Sequence, residues 1–267
     1  MEVMDMVHEK MLIDLRTLGV KEGGVLLVHS SLKSLGAAYL DEMNDAGINA
    51  IACVIETLRA ALGNAGTLLI PTLSYASVPV GNRAFDVRTT PSDVGAITEY
   101  FRMMPGVIRS LHPTHSVAAI GSLAVAMTVN HERDTTPVGG HSPFRKLRDL
   151  DGQILMLGCG LCPNTSMHGV EELAEPPYLF RHTLDYSCTD ANGEGHTLHI
   201  RRHHFDNKHG EDIVQRYDRL KFLLPEYIMA NGKVLDADCH LFEAKRMWDV
   251  AEKIMRDDPL FFVDGYC

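Results

Sequence analysis

Short apolar runs alternate with amphipathic stretches along most of the chain. Residues 1–18 place Met4, Val7, Met11, Leu12 and Leu15 at helical spacing, which predicts a helix with one buried face. Gly19 and Gly23-Gly24 break it, and the short, fully apolar run Val25-Leu26-Leu27-Val28 reads as a buried strand. A second amphipathic helix is predicted over 48–62 and a strand over 67–72. A long loop, 74–91, contains Tyr75, Phe85 and Asp86. Pro91-Ser92-Asp93 is expected to open a helix to about Met104, where Pro105-Gly106 closes it. A strand at 117–120 follows. A loop over 130–142 then delivers Ser142-Pro143-Phe144 to a helix start, with proline near the first helical position. Ile154-Leu155-Met156-Leu157 is the next strand. Strand and helix thus alternate as far as residue 175, which predicts an α/β fold with a central, mostly parallel sheet flanked by helices.

The last third differs. Residues 178–188 and 196–202 read as a hairpin around Asp190-Ala191-Asn192-Gly193, followed by a helix near 211–222. A second hairpin is expected around Asn231-Gly232, and an amphipathic helix over 242–256. No linker composition sets this part off. The whole of 1–267 is therefore expected to be one domain, an α/β core at 1–177 with a C-terminal α+β subdomain at 178–267 packed on the same sheet.

Composition narrows the functional classes. Hydrophobic residues make up 45% and charged residues 22%, as in ordinary globular proteins. No apolar run is long enough to span a bilayer, so no membrane association is expected. The opening MEVMDMVHEK is too polar for a signal peptide, so a cytoplasmic location is expected. A formal charge of −10 argues against nucleic acid and favours small cationic ligands. Cys159 and Cys162 form a C-x-x-C, but no second pair completes a zinc site, so reduced thiols are expected.

The chemistry centres on Asn164-Thr165-Ser166-Met167-His168-Gly169-Val170-Glu171-Glu172, between a strand end and Pro176-Pro177. With Thr165 as N-cap, His168 and Glu171 fall three apart on one helical face. A carboxylate behind an imidazole suits a general base. The hydroxyl- and histidine-bearing loops 29–36, 109–116 and 164–168 are expected to meet at the carboxyl ends of the strands. There is no dinucleotide fingerprint, P-loop or G-x-S-x-G elbow. His112 with His115, and His203, His204, Asp206 and His209, raise a metal-dependent hydrolase as an alternative. Neither set has H-E-x-x-H spacing, so loop hydrogen bonding is favoured for His112 and His115, a structural or solvated role for the 203–209 cluster, and no metal is expected.

His29-Ser30-Ser31-Leu32, Pro71-Thr72, Phe85-Asp86, Thr90-Pro91-Ser92, Arg109-Ser110-Leu111-His112-Pro113-Thr114-His115-Ser116-Val117-Ala118, Ser142-Pro143-Phe144 and Asn164-Thr165-Ser166-Met167-His168 occur in that order. Together they closely resemble the aminoglycoside 3-N-acetyltransferase, or antibiotic N-acetyltransferase, family over about residues 10–260. The resemblance implies acetyl transfer from acetyl-CoA to the 3-amino group of a 2-deoxystreptamine antibiotic, with His168 as base and Glu171 as its partner. It implies a coenzyme A site using Ser30, Ser31, Leu32, Lys33, Thr72, Ser110, Ser116, Ser142, Pro143 and Phe144, with His29 in support. The antibiotic's ammonium groups would be met by Tyr75, Asp86 and Glu172. Relatives of this family also acetylate non-antibiotic amines, which leaves the acceptor open. Gly169-Val170 stands where the family commonly has Leu-Ala, and is expected to loosen the helix and open space beside the base.

Overall fold

A computed structural model describes residues 2–47, 49–205, 210 and 212–266. In chain order it forms α1 (Glu2–Leu18), β1 (Val25–Ser30), α2 (Ala37–Asp45), α3 (Ala50–Leu62), β2 (Thr67–Pro71), β3 (Ala84–Asp86), α4 (Ala96–Arg102), β4 (Ile108–Arg109) and β5 (Val117–Gly121). There follow α5 (Ala124–Thr128), α6 (Pro143–Asp149), β6 (Gln153–Leu157), α7 (Met167–Ala174), β7 (Phe180–Thr189), β8 (Gly195–His203) and β9 (Val214–Gln215). β10 (Met229–Val234), β11 (Ala237–Glu243), α8 (Ala244–Asp257) and β12 (Val263–Asp264) complete the chain.

Seven strands form the main sheet in the order β10-β11-β6-β1-β2-β5-β4. Alternate residues along β1 face opposite ways, as a period of two requires. Leu26 and Val28 join α1 and α3 in one core, while Leu27 joins Phe144, Val170 and Trp248 from α6, α7 and α8 in the other. Helices therefore cover both faces of an α/β sheet. The expectation of mostly parallel pairing needs correction, because only β6-β1-β2 is parallel. β5 runs antiparallel to β2 and to β4, and the β10–β11 hairpin joins antiparallel at β6. Between β2 and β5 lie the three-residue β3, short α4 and the two-residue β4, so this stretch lacks a long helical crossover like the one that returns a strand parallel.

Four boundaries differ from the sequence reading. The helix after the long loop starts at Ala96, not near Pro91. Gly95 takes a φ of 126°, and the Asp93 carboxylate is engaged with the backbone N–H groups of Ala76 and Ser77. The expected helix near 211–222 is a two-residue strand paired with β12 and a 3-10 turn, Tyr217–Phe222; residue 211 lies outside the described residues. Asn231-Gly232 is inside β10, opposite His240 and Cys239, and the hairpin turns at Leu235-Asp236. Burial decides that register: Val234, Leu235 and Ala237 all reach the core, and Leu235 accepts a φ of 53° to do so. Finally, Thr165 does not cap α7. Its entry is closed by backbone bonds from Met167, His168 and Gly169 to the carbonyls three residues back, which satisfy the donors a cap would have met.

Candidate active site

The carboxyl ends of β1, β2 and β6 lie on one side of the sheet because these strands are parallel. A cavity of about 390 Å³ opens there. Its wall takes His29 and Ser30 from β1, Pro71 at the end of β2 with Leu73 just beyond it, and Cys159, Cys162, Thr165 and His168 from the segment after β6. Thr114 and His115 join from the loop before β5, which reaches the same side because β5 is antiparallel. The predicted meeting of the three loops is thus observed, although the middle one arrives by the opposite strand direction. The far wall comes from the last third of the chain, with Arg202 and His203 ending β8, Phe205 after it, and Gln215 in β9.

His168 is mostly buried at the cavity wall, and its Nδ1 lies 2.8 Å from Glu171 Oε2. A carboxylate only accepts, so Nδ1 carries the hydrogen, and in the neutral ring Nε2 then holds the lone pair. Glu171 is 0% exposed. Its second oxygen, Oε1, accepts from the hydroxyls of Tyr178 at 2.9 Å and Tyr217 at 2.8 Å. Burial, then the neighbouring Glu171, pushes both phenols above the ordinary tyrosine range, which keeps them protonated donors. The adjacent Glu172 holds a second imidazole, with His203 Nε2 2.7 Å from Oε1. Sequence reasoning missed Tyr178 and Tyr217 as site residues and weighed His203 only within a possible metal cluster. Tyr178 directly follows Pro176-Pro177 at the helix exit, which was a usable signal; Tyr217 carried none.

His29 is buried against the cavity, and its Nε2 has no hydrogen-bond partner among the described residues. Burial, followed by the nearby His168, lowers it to about 3, so the ring is neutral. His112 and His115 serve their loop. His112 Nδ1 accepts from the backbone N–H groups of Thr114 and His115, and the ring stacks on His131 at 4.6 Å. Among the described residues, the group placed closely enough to hold an ion is Asp190, Glu194 and His196 at the β7–β8 turn. Asp206 and His209 lie outside the described residues.

The other predicted residues divide sharply. Ser30 and Tyr75 line the cavity. Ser31, Leu32 and Lys33 continue from Ser30 into a single 3-10 turn, where Ser31 Oγ accepts from Ser34 Oγ at 3.0 Å. Thr72 and Ser116 are interior: Arg109 Nε donates to both hydroxyls, at 3.1 and 2.9 Å. Ser110 pairs with His131 Nδ1 and receives the Val117 N–H. Ser142 caps α6 by accepting from Phe144 N–H, with Pro143 in the first turn and Phe144 in the core. Asp86 is away from the cavity and chelated by Arg88 at 2.7 and 3.0 Å. Glu172 is buried and also accepts from Thr136 and Val138. Hence, among the described residues, the cavity wall carries histidines and Arg202 but no carboxylate.

Gly169 corrects another expectation. A Cβ there would lie 1.9 Å from the Trp248 ring, so the space beside the base is already filled by indole. Trp248 Nε1 donates to Ser166 Oγ at 2.6 Å, tying α8 to the start of α7.

Comparison with known proteins agrees across the chain. Residues 27–256 match the family described as aminoglycoside 3-N-acetyltransferase. The chain is 33% identical over 255 residues to aminoglycoside N(3)-acetyltransferase IV of Salmonella sp, covering 93% of this chain and 87% of that one. It is 29% identical over 262 residues to aminoglycoside N(3)-acetyltransferase VII of Streptomyces paromomycinus, covering 88% and 86%. Aminoglycoside acetyltransferase AAC(3)-IVa, solved as a histidine-to-alanine variant in complex with a gentamicin, superposes with a TM-score of 0.76 at 30% identity. That match covers 96% of this chain and 91% of the other.

Proposed function

The chain belongs to the aminoglycoside 3-N-acetyltransferase family and is an acyltransferase, and from that premise we propose that it transfers acetyl from acetyl-CoA to the 3-amino group of a 2-deoxystreptamine aminoglycoside. His168 is the general base and Glu171 its partner in this reading. One observation carries it: the imidazole stands on the wall of the cavity at the strand ends, with Nδ1 tied to a buried carboxylate.

An ammonium group in water must lose a proton before it can attack an acyl carbon. His168 Nε2, with its lone pair free, takes that proton, and Glu171 meets the charge that develops on the ring. Acetyl-CoA supplies the acetyl group already activated as a thioester. The cavity suits its uncharged arm, since Val28, Pro71, Leu73 and Phe205 offer apolar wall. In this reading the Leu32 and Lys33 backbone N–H groups meet phosphate beside Ser30, whereas the Ser31 N–H is already bonded to the Leu157 carbonyl. Thr72, Ser110, Ser116, Ser142, Pro143 and Phe144 act from beneath by fixing the loops that form the wall. Of the three residues expected to meet the antibiotic, Tyr75 keeps that role, because Asp86 and Glu172 already hold other partners.

Thiol release from acetyl-CoA, measured against a panel of aminoglycosides and simple amines, tests this function. Turnover with aminoglycosides and product acetylated at the 3-amino nitrogen is the expected result. Turnover only with other amines would overturn the acceptor assignment. Treatment with a strong chelator should leave the rate unchanged, whereas its loss would favour the metal-dependent hydrolase.

A further inference from the structure

We infer that Tyr217 and Tyr178 are positioning residues for the His168–Glu171 pair, acting by occupying one carboxylate oxygen so that the other is held for the imidazole. The inference rests on the base assignment above and extends it to two phenols supplied by the C-terminal third of the chain.

The proton directions in this cluster leave little freedom. Glu171 accepts all its bonds. Tyr178 and Tyr217 therefore both donate to Oε1, at 2.9 and 2.8 Å. The Tyr217 oxygen in turn accepts from Gln215 Nε2 at 2.9 Å, and Gln215 stands on the cavity wall. His168 Nδ1 donates to Oε2 at 2.8 Å and also lies 3.2 Å from the Tyr217 oxygen. Each polar atom thus has one consistent role, and the chain places a hydrogen on His168 Nδ1, so that in the neutral ring the lone pair falls on Nε2.

Without the phenols the terminal torsion of glutamate is soft and roughly two-fold, and Oε1 would be buried with nothing to accept from. The carboxylate could then turn to share its oxygens differently with the imidazole. The ring direction would be lost with it, and small misplacements of a reacting group are expensive in rate. Tyr217 is itself well fixed. Its neighbour Arg216 pairs with Asp218 and Asp264, and β9 pairs with β12.

A double-mutant cycle between Tyr217→Phe and Glu171→Gln tests this, read as kcat with the acceptor that turns over fastest in the panel above. Phenylalanine keeps the ring and removes only the hydroxyl. Tyr217→Phe should lower kcat by about tenfold to a hundredfold, with KM for acetyl-CoA nearly unchanged. In the Glu171→Gln background the same change should cost less than about threefold, since the hydroxyl then has no carboxylate to hold. Tyr178→Phe should behave alike with a smaller loss. Full additivity, or an unchanged kcat in Tyr217→Phe while Glu171→Gln is impaired, would overturn the positioning role alone. An unimpaired Glu171→Gln would overturn the His–Glu reading and this inference with it.

Discussion

Gly169 shows how much one missing carbon can decide. Trp248 fills the volume a side chain would take, and its N–H reaches Ser166 at the first turn of the helix that carries His168. Gly169→Ala is expected to destabilise the protein by about 1–3 kcal/mol through overpacking, although alanine is the better helix former. Urea midpoints check this, and Trp248→Leu in the alanine background should recover part of the loss. A more stable Gly169→Ala would show that the indole moves aside freely. The glycine was visible in the sequence, but its reason was not, since Trp248 lies 79 residues further on. By contrast, His168 and Glu171 were legible, because their contact is local and follows from helical spacing. Tyr217 reaches the same carboxylate only through tertiary packing.

Among the elements, the hinge of the site is the buried guanidinium of Arg109. Besides Thr72 and Ser116, it donates to the carbonyls of Thr90 and Thr72 and to Ser74 Oγ, and it covers the Phe85 ring at 4.9 Å. Burial, then nearby Arg102, brings it down to about 9, so it stays charged at neutral pH. It therefore joins the long loop 74–91 to the sheet. Arg109→Met should cost at least about 2 kcal/mol by orphaning several buried acceptors, and should expose that loop. Hydrogen exchange would show the loop's amides losing protection first; uniform loss across the sheet would contradict the local role. Thr72 and Ser116 were expected in the coenzyme A site because the family resemblance put them there. Only the fold reveals that an arginine from the same chain has taken them. Strand direction was hidden for a similar reason, because alternation of apolar runs marks strands without marking which way they run.

At the scale of the molecule, the interior carries an unusual load of neutral imidazoles. Burial lowers His29 and His131 to about 3 and drives His112 and His115 well below the ordinary 6.5. The unfolded chain therefore binds protons that the folded chain refuses once the pH falls below about 6.5. These rings' contribution should be level above that point and fall between there and about 3, by roughly 2 kcal/mol each for His29 and His131 at pH 5. Urea midpoints at pH 7 and pH 5 test the sign, and equal midpoints would contradict it. Charge also acts at long range. With a formal charge of −10, KM for a polycationic antibiotic should rise as salt screens the attraction, and a KM indifferent to salt would remove that contribution.

All of these scales serve one imidazole nitrogen, and its removal is the most direct test. In His168→Ala, kcat with acetyl-CoA and an aminoglycoside should fall by at least about a hundredfold while coenzyme A still binds with near-normal affinity. A His168→Ala protein that keeps near-normal kcat would contradict the account.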